Sequence, residues 1–236
     1  SLLDEACCEP AGVRVEISVP QRGARRRLVE QATRNAVEAL ERRMAERGTQ
    51  AKILRELAEF LELADIPQRM EVYDNSHIQG AKAVGAMIVA GPDGFIKNQY
   101  RKFNIRSAQS DDDFGMMREV MGRRFGRAME EDPERESGTW PDLVLIDGGK
   151  GQMSAVRDAL EELGIEDVPL IAIAKGPHHG REGREVFHFP DGREKTLPTN
   201  SPLLFYLQRL RDEVHRFVIG AHRAKRSRAI QASPLD

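Results

Sequence analysis

Pro141-Asp142-Leu143-Val144-Leu145-Ile146-Asp147-Gly148-Gly149-Lys150-Gly151-Gln152 is the stretch that decides the fold class. Its first part, Asp142–Ile146, is almost wholly apolar, the pattern of a strand buried on both faces. After the glycine-rich turn, Gln152–Leu163 carries helical periodicity and stops at Gly164. A second apolar run, Leu170–Ala174, predicts another buried strand. Buried strand, helix, buried strand is the pattern of a sheet with helices packed on it.

Upstream, three runs read as strands: Met70–Asp74, Ala83–Ala90 and Gln99–Ile105. Gly91-Pro92-Asp93-Gly94 is a turn, so the second and third form a hairpin. Asp111–Met129 reads as a helix whose acidic start suits the helix dipole, followed by a polar loop over Glu130–Thr139. Downstream, residues 176–200 are rich in Gly, Pro and His and enclose a short hairpin, Val186–Pro190 with the turn Asp191-Gly192. Ser201-Pro202 supplies an N-cap and a favoured first residue for a long helix reaching about Ile230. The expectation is an α/β protein with a mixed sheet flanked by helices.

Ahead of this lies a smaller segment. Val13–Val19 alternates with period two, a half-buried strand. Leu28, Ala32, Ala36, Leu40 and Met44 recur every four residues, with Gly48 as the predicted stop. Thr49 then opens a second helix that closes before Pro67. The expected organisation is a strand-helix-helix segment over 1–68, a main domain over 69–230 and a tail over 231–236.

The 236 residues are 40% hydrophobic and 31% charged, with a formal net charge of −2, which excludes a uniformly basic nucleic-acid binder. The charge is local: four arginines lie within 22–27 and seven Lys/Arg within 209–228, while acids gather at 111–113 and 130–136. Cys7 and Cys8 are sequence neighbours with no zinc-ligand spacing, which fits a reducing, cytoplasmic setting. No apolar run approaches the ~20 residues of a membrane span, and no signal-peptide pattern opens the chain.

Asp74 ends the strand Met-Glu-Val-Tyr-Asp with the parity of Met70 and Val72, and Asp147 ends Leu-Val-Leu-Ile-Asp. Ligands in α/β sheets gather at the carboxyl ends of strands. Two aspartates brought together there would repel each other but suit Mg²⁺ or Mn²⁺. Either aspartate alone fits a turn cap equally well. His215 lies beside the apolar stripe Leu203, Leu207, Leu210, Val214 and Phe217 of the last helix, in reach of a metal or a phosphate or held as a boundary histidine. Arg101, Lys150, Lys175 and Arg211 are candidate phosphate contacts by charge and position. Gly148-Gly149-Lys150-Gly151 lacks the spacing of a P-loop, so nucleotide hydrolysis is not implied.

Five motifs together go further. Tyr-Asp-Asn-Ser-His-Ile-Gln-Gly (73–80), Tyr-Arg-Lys-Phe (100–103), Asp-Asp-Asp-Phe (111–114), the stretch 141–152 and Arg-Asp-Glu-Val-His-Arg-Phe (211–217) resemble, in the same order, the C-terminal half of the UvrC family. These are the incising subunits of the bacterial nucleotide excision repair nuclease. The resemblance implies a ribonuclease H-like fold and a cut on the 5′ side of damaged nucleotides in double-stranded DNA. It implies an Asp-Asp-His metal site at Asp74, Asp147 and His215, and a further catalytic aspartate at Asp113. It also implies UvrB as partner of the whole protein, and helix-hairpin-helix elements following residue 236. Two other readings remain open from the residues: a non-catalytic ribonuclease H-like binding module, and a transposase- or resolvase-like nuclease.

Overall fold

Along the chain the elements are α1 (Gly23–Leu61), β1 (Met70–Ser76), β2 (Val84–Gly91), β3 (Gly94–Phe95), β4 (Arg101–Asn104), α2 (Asp113–Glu131), β5 (Leu143–Asp147), α3 (Lys150–Glu162), β6 (Leu170–Lys175), β7 (Glu185–His188), β8 (Glu194–Thr196) and α4 (Pro202–Gln231). This is a computed structural model; it describes residues 20–76, 83–108, 112–175 and 185–231, and the side chains of 42, 43, 76 and 221–231 fall outside the description. The predicted strand at Val13–Val19 also falls outside it, as do His77, His178 and His179.

The eight described strands make one sheet in the order β3-β2-β1-β5-β6-β7-β8, with β4 also pairing to β2. β1 runs antiparallel to β2 and parallel to β5, β5 runs parallel to β6, and β7 and β8 return antiparallel. The mixed α/β sheet expected from the sequence is therefore the one observed. The hairpin after β2 is more elaborate than expected: β3 and a 3₁₀ turn, Lys97–Gln99, intervene before β4.

Side-chain parity divides the core into two layers. Tyr73, Val89, Val144, Ile146 and Ala172 pack with Met116, Met117, Val120 and Phe125 of α2 and Val156 of α3. On the other face, Met70, Val72, Ile88, Leu143, Leu145, Ile171 and Phe187 pack with Leu203, Leu207, Leu210 and Val214 of α4 and with Leu54 and Leu57 of α1. Sheets buried on both faces need continuous apolar strands, which is why β5 shows no polar alternation.

The N-terminal helices differ from expectation. The two predicted over 24–47 and from Thr49 are a single helix, α1, running through Gly48. Thr49 does not cap a new start; its Oγ1 donates 3.0 Å back to the Ala45 carbonyl, as a mid-helix threonine does. A glycine costs a helix about 1 kcal/mol, and the good helix formers Ala45, Glu46, Arg47, Ala51 and Lys52 on either side outweigh it. The chain separates into two compact units, up to Thr49 and from Gln50. The described part of the first is helical and exposes Leu28, Leu40 and Met44; the second holds the sheet. Among the described residues no helix is long and apolar enough to cross a membrane.

Candidate active site

The parallel ladder between β1 and β5 ends at the pair Tyr73↔Ile146, and Asp74 and Asp147 are the next residue on each strand. Tyr73 and Ile146 face α2 and α3. Alternation along a strand therefore sends both aspartates to the opposite face, the one covered by α4. On α4, Val214 is buried in that layer and His215 follows it at the layer's margin. His215 Nδ1 lies 2.9 Å from Asp74 Oδ2. One ligand-type atom from each of Asp74, Asp147 and His215 lies within 4.8 Å of the other two, and this is the only such group of three or more found among the described residues.

Burial gives the cluster its electrostatics. Asp74 is 7% exposed, whereas the His215 side chain is 58% exposed, so the group is walled on one side and open on the other. Burial pushes the Asp147 carboxyl up and the neighbouring Asp74 charge pushes it further, to about 6, against the downward pull of Arg211, His215 and Lys175. Burial also raises Asp74, opposed by its hydrogen bond to His215 and reinforced by the charge of Asp113. Both carboxylates are thus short of positive charge in their ionised form. A divalent cation meets that need. The 2.9 Å contact between Asp74 and His215 is an ordinary hydrogen bond, and Asp74, Asp147 and His215 are the side chains that would hold such an ion. Two carboxylates and an imidazole suit Mn²⁺ and, less ideally at the nitrogen, Mg²⁺.

The remaining candidates are distributed around this group. Asp113 is the first residue of α2, after the cap Asp112, which accepts from Gly115 N–H at 2.8 Å. Asn75 Nδ2 donates to the Asp113 carbonyl at 3.4 Å, tying the end of β1 to this helix start. Asp113 acts on Asp74 through its charge but is not one of the three clustered ligands. Lys175 is the exposed last residue of β6. Arg101 is exposed on β4 and donates to the carbonyls of Asn98 and Tyr100. Lys150 opens α3 and is ion-paired at 2.6 Å with Glu194 of β8. Arg211 is turned inward, its side chain only 11% exposed, and donates to Glu185 and Asp212. Glu185 is a residue that sequence reasoning misses; the available signal is its shared parity with Phe187 in a short strand.

Residues 58–219 match the family model described as the UvrC RNAse H endonuclease domain, and residues 1–43 match a second, the UvrC Ribonuclease H-like domain. The UvrABC system protein C of Novosphingobium aromaticivorans is 80% identical over 235 residues, covering 100% of this chain and 36% of that protein. That of Sphingopyxis alaskensis is 64% identical over 238 residues, again covering 100% of this chain and 37% of the relative. The chain thus spans a little over a third of the length of these relatives. Among solved structures, Ciona intestinalis endonuclease V in complex with inosine-containing DNA aligns at 16% identity and a TM-score of 0.33 over 49% of each chain. The catalytic domain of human endonuclease V aligns at 14% identity and a TM-score of 0.35, over 66% of this chain and 74% of that one. Structural likenesses this distant carry no argument about function.

Proposed function

Because the chain belongs to the UvrC RNAse H endonuclease domain family, we propose that it is the part of a UvrC-type protein that cuts DNA on the 5′ side of a damaged nucleotide. The observation that carries this reading is the convergence of Asp74, Asp147 and His215 from two strand ends and one helix. The whole protein would act in the cytoplasm on damaged double-stranded DNA delivered with UvrB. Mg²⁺ or Mn²⁺ held by the three side chains would neutralise charge on the phosphate and lower the pKa of a water.

The protein's own groups do the rest. Asp74 and Asp147, fixed at the ends of adjacent parallel strands, would hold the cation at the open side of the cluster, and the reacting phosphate would be oriented by that cation rather than by the carboxylates themselves. His215 serves either as a ligand through Nδ1 or, while Nδ1 stays with Asp74, as the group that passes a proton from Nε2 to the leaving 3′ oxygen. Asp113 adds negative charge beside Asp74 and is a further catalytic candidate. Arg101, Lys150 and Lys175, all on the surface, are the candidate contacts to the DNA backbone, Lys150 after release from Glu194.

The test is incision by the full-length protein. Asp74→Ala and His215→Ala should abolish the 5′ cut, while the second cut that the UvrC resemblance implies, made on the 3′ side by a separate N-terminal domain of the whole protein, should stay measurable. Persistent 5′ cutting would refute the site. Undiminished Mn²⁺ binding with no cutting by the wild type would favour a non-catalytic module.

A further inference from the structure

Glu185 is the first residue of β7, in register with Lys175 at the end of β6. Its parity is that of Phe187, which pairs with Ile173, which in turn pairs with Asp147. Glu185 and Asp147 therefore lie on the same face of the sheet, beneath α4. Glu185 is buried, 7% exposed as a residue. Its Oε1 accepts from Gln208 Nε2 at 2.8 Å and from Arg211 Nη1 at 3.1 Å. Its Oε2 is buried with no hydrogen-bond partner among the described residues. A buried carboxylate persists only where a cation or donors meet it. Here the cation is Arg211.

Arg211 is held at both ends of its guanidinium, by Glu185 through Nη1 and by Asp212 through Nη2 at 3.2 Å. It sits one helical turn before His215, and i, i+4 residues share a helix face. Burial and the Asp74 charge push the Asp147 carboxyl up, and Arg211 is the first of the charges that pull it back. The Arg211 side chain is itself largely buried and bonded to the buried Glu185, with exposed Asp212 adding a second contact, so its guanidinium is held inward, unlike that of a surface cation.

We propose that Glu185 is a positioning residue of this site: it clamps Arg211 beside Asp147, so that the guanidinium is a permanent positive charge at the edge of the Asp74–Asp147–His215 cluster. The role rests on the nuclease reading of that cluster. A preorganised cation at that place stabilises negative charge developing on the reacting phosphate, and needs no rearrangement when the charge appears. Glu185 touches neither the candidate metal ligands nor the DNA in this role. It acts through Arg211.

The experiment uses the full-length protein carrying Glu185→Gln, Glu185→Asp, Arg211→Gln or Glu185→Gln with Arg211→Gln. Mn²⁺ binding is followed by calorimetry, and 5′ incision is resolved into kcat and KM for DNA. Glu185→Gln should lower kcat by about 10- to 100-fold, the usual effect of losing such an outer contact, with Mn²⁺ affinity and KM held within about threefold. Glu185→Asp, which keeps the charge, should recover most of the rate, and the double variant should be no slower than Arg211→Gln alone. Multiplicative losses in the double variant, or an unchanged kcat in Glu185→Gln, would overturn the proposal. So would a more than tenfold loss of Mn²⁺ affinity, which would make Glu185 a metal ligand. A raised KM at constant kcat would overturn it too, making Arg211 a plain DNA contact. A wild type that binds no Mn²⁺ would instead remove the nuclease reading, and this proposal with it.

Discussion

His215 Nδ1 stands 2.9 Å from Asp74 Oδ2, although 141 residues separate the two in sequence. The contact is made possible by α4 crossing the face of the sheet on which both strand-terminal aspartates project. A buried carboxylate, Asp74, and a half-buried one, Asp147, crowd each other there, and a cation or a proton relieves that crowding.

In metal-free solution Asp147 should destabilise the fold as pH rises. Its folded pKa of about 6 lies above the ordinary 3.8, so the folded protein binds this proton more tightly than the unfolded chain. Stability is then lost as pH climbs from about 4 through 6, and stays lost above that. Asp147→Asn should accordingly be about 1–3 kcal/mol more stable than the wild type at pH 7 in chelator, with little difference at pH 3.5. Urea denaturation at the two pH values checks this.

Divalent ions should reverse that penalty. Mn²⁺ at about 100 times its Kd should stabilise the wild type by about 2.7 kcal/mol, raising Tm by about 5–10 °C. Asp74→Asn and His215→Ala should lose most of the rise, because each removes one of the three clustered side chains. A thermal-shift titration reads the outcome directly, and equal shifts in wild type and variants would exclude the cluster as the binding site.

Glu71 projects from β1 on the face opposite Asp74 and is fully buried, with Arg69 Nη2 at 2.8 Å, Arg124 Nη2 at 2.7 Å and the Tyr73 hydroxyl as partners. Glu71→Ala leaves two cations facing a dry pocket. The expected loss is about 3–5 kcal/mol, measured by denaturant unfolding. Mn²⁺ affinity of the folded fraction should be unchanged, since the sheet lies between this network and the Asp74–Asp147–His215 cluster.

Gly85 pairs with Asn75 in the β1–β2 ladder, and a Cβ there would come within 2.5 Å of Val120 Cγ2 and 3.0 Å of Asn75 Oδ1. Gly85→Ala should therefore cost about 1–3 kcal/mol by overpacking, despite the better strand propensity of alanine. Because Asn75 adjoins Asp74 and bonds the start of α2, the variant should also weaken Mn²⁺ binding, which calorimetry would register.

What the sequence determined by itself is everything that depends on near neighbours. Unbroken apolar runs identified β5 and β6, turn residues marked the hairpins, and strand parity assigned Asp74 to the face of Met70 and Val72, where it is found. The helical stripe put His215 at the margin of the core. Each is a periodicity read within one element, and burial enforces it locally. Only the tertiary structure decided which charges meet. Lys150 and Arg211 look alike in sequence as candidate phosphate contacts, yet one is tied to Glu194 and the other to Glu185 and Asp212. The buried Glu71 network was likewise beyond local reading. The reason is physical: a buried charge is stable only with a partner, and that partner is chosen by strand register and helix crossing, which bring together residues far apart in the chain.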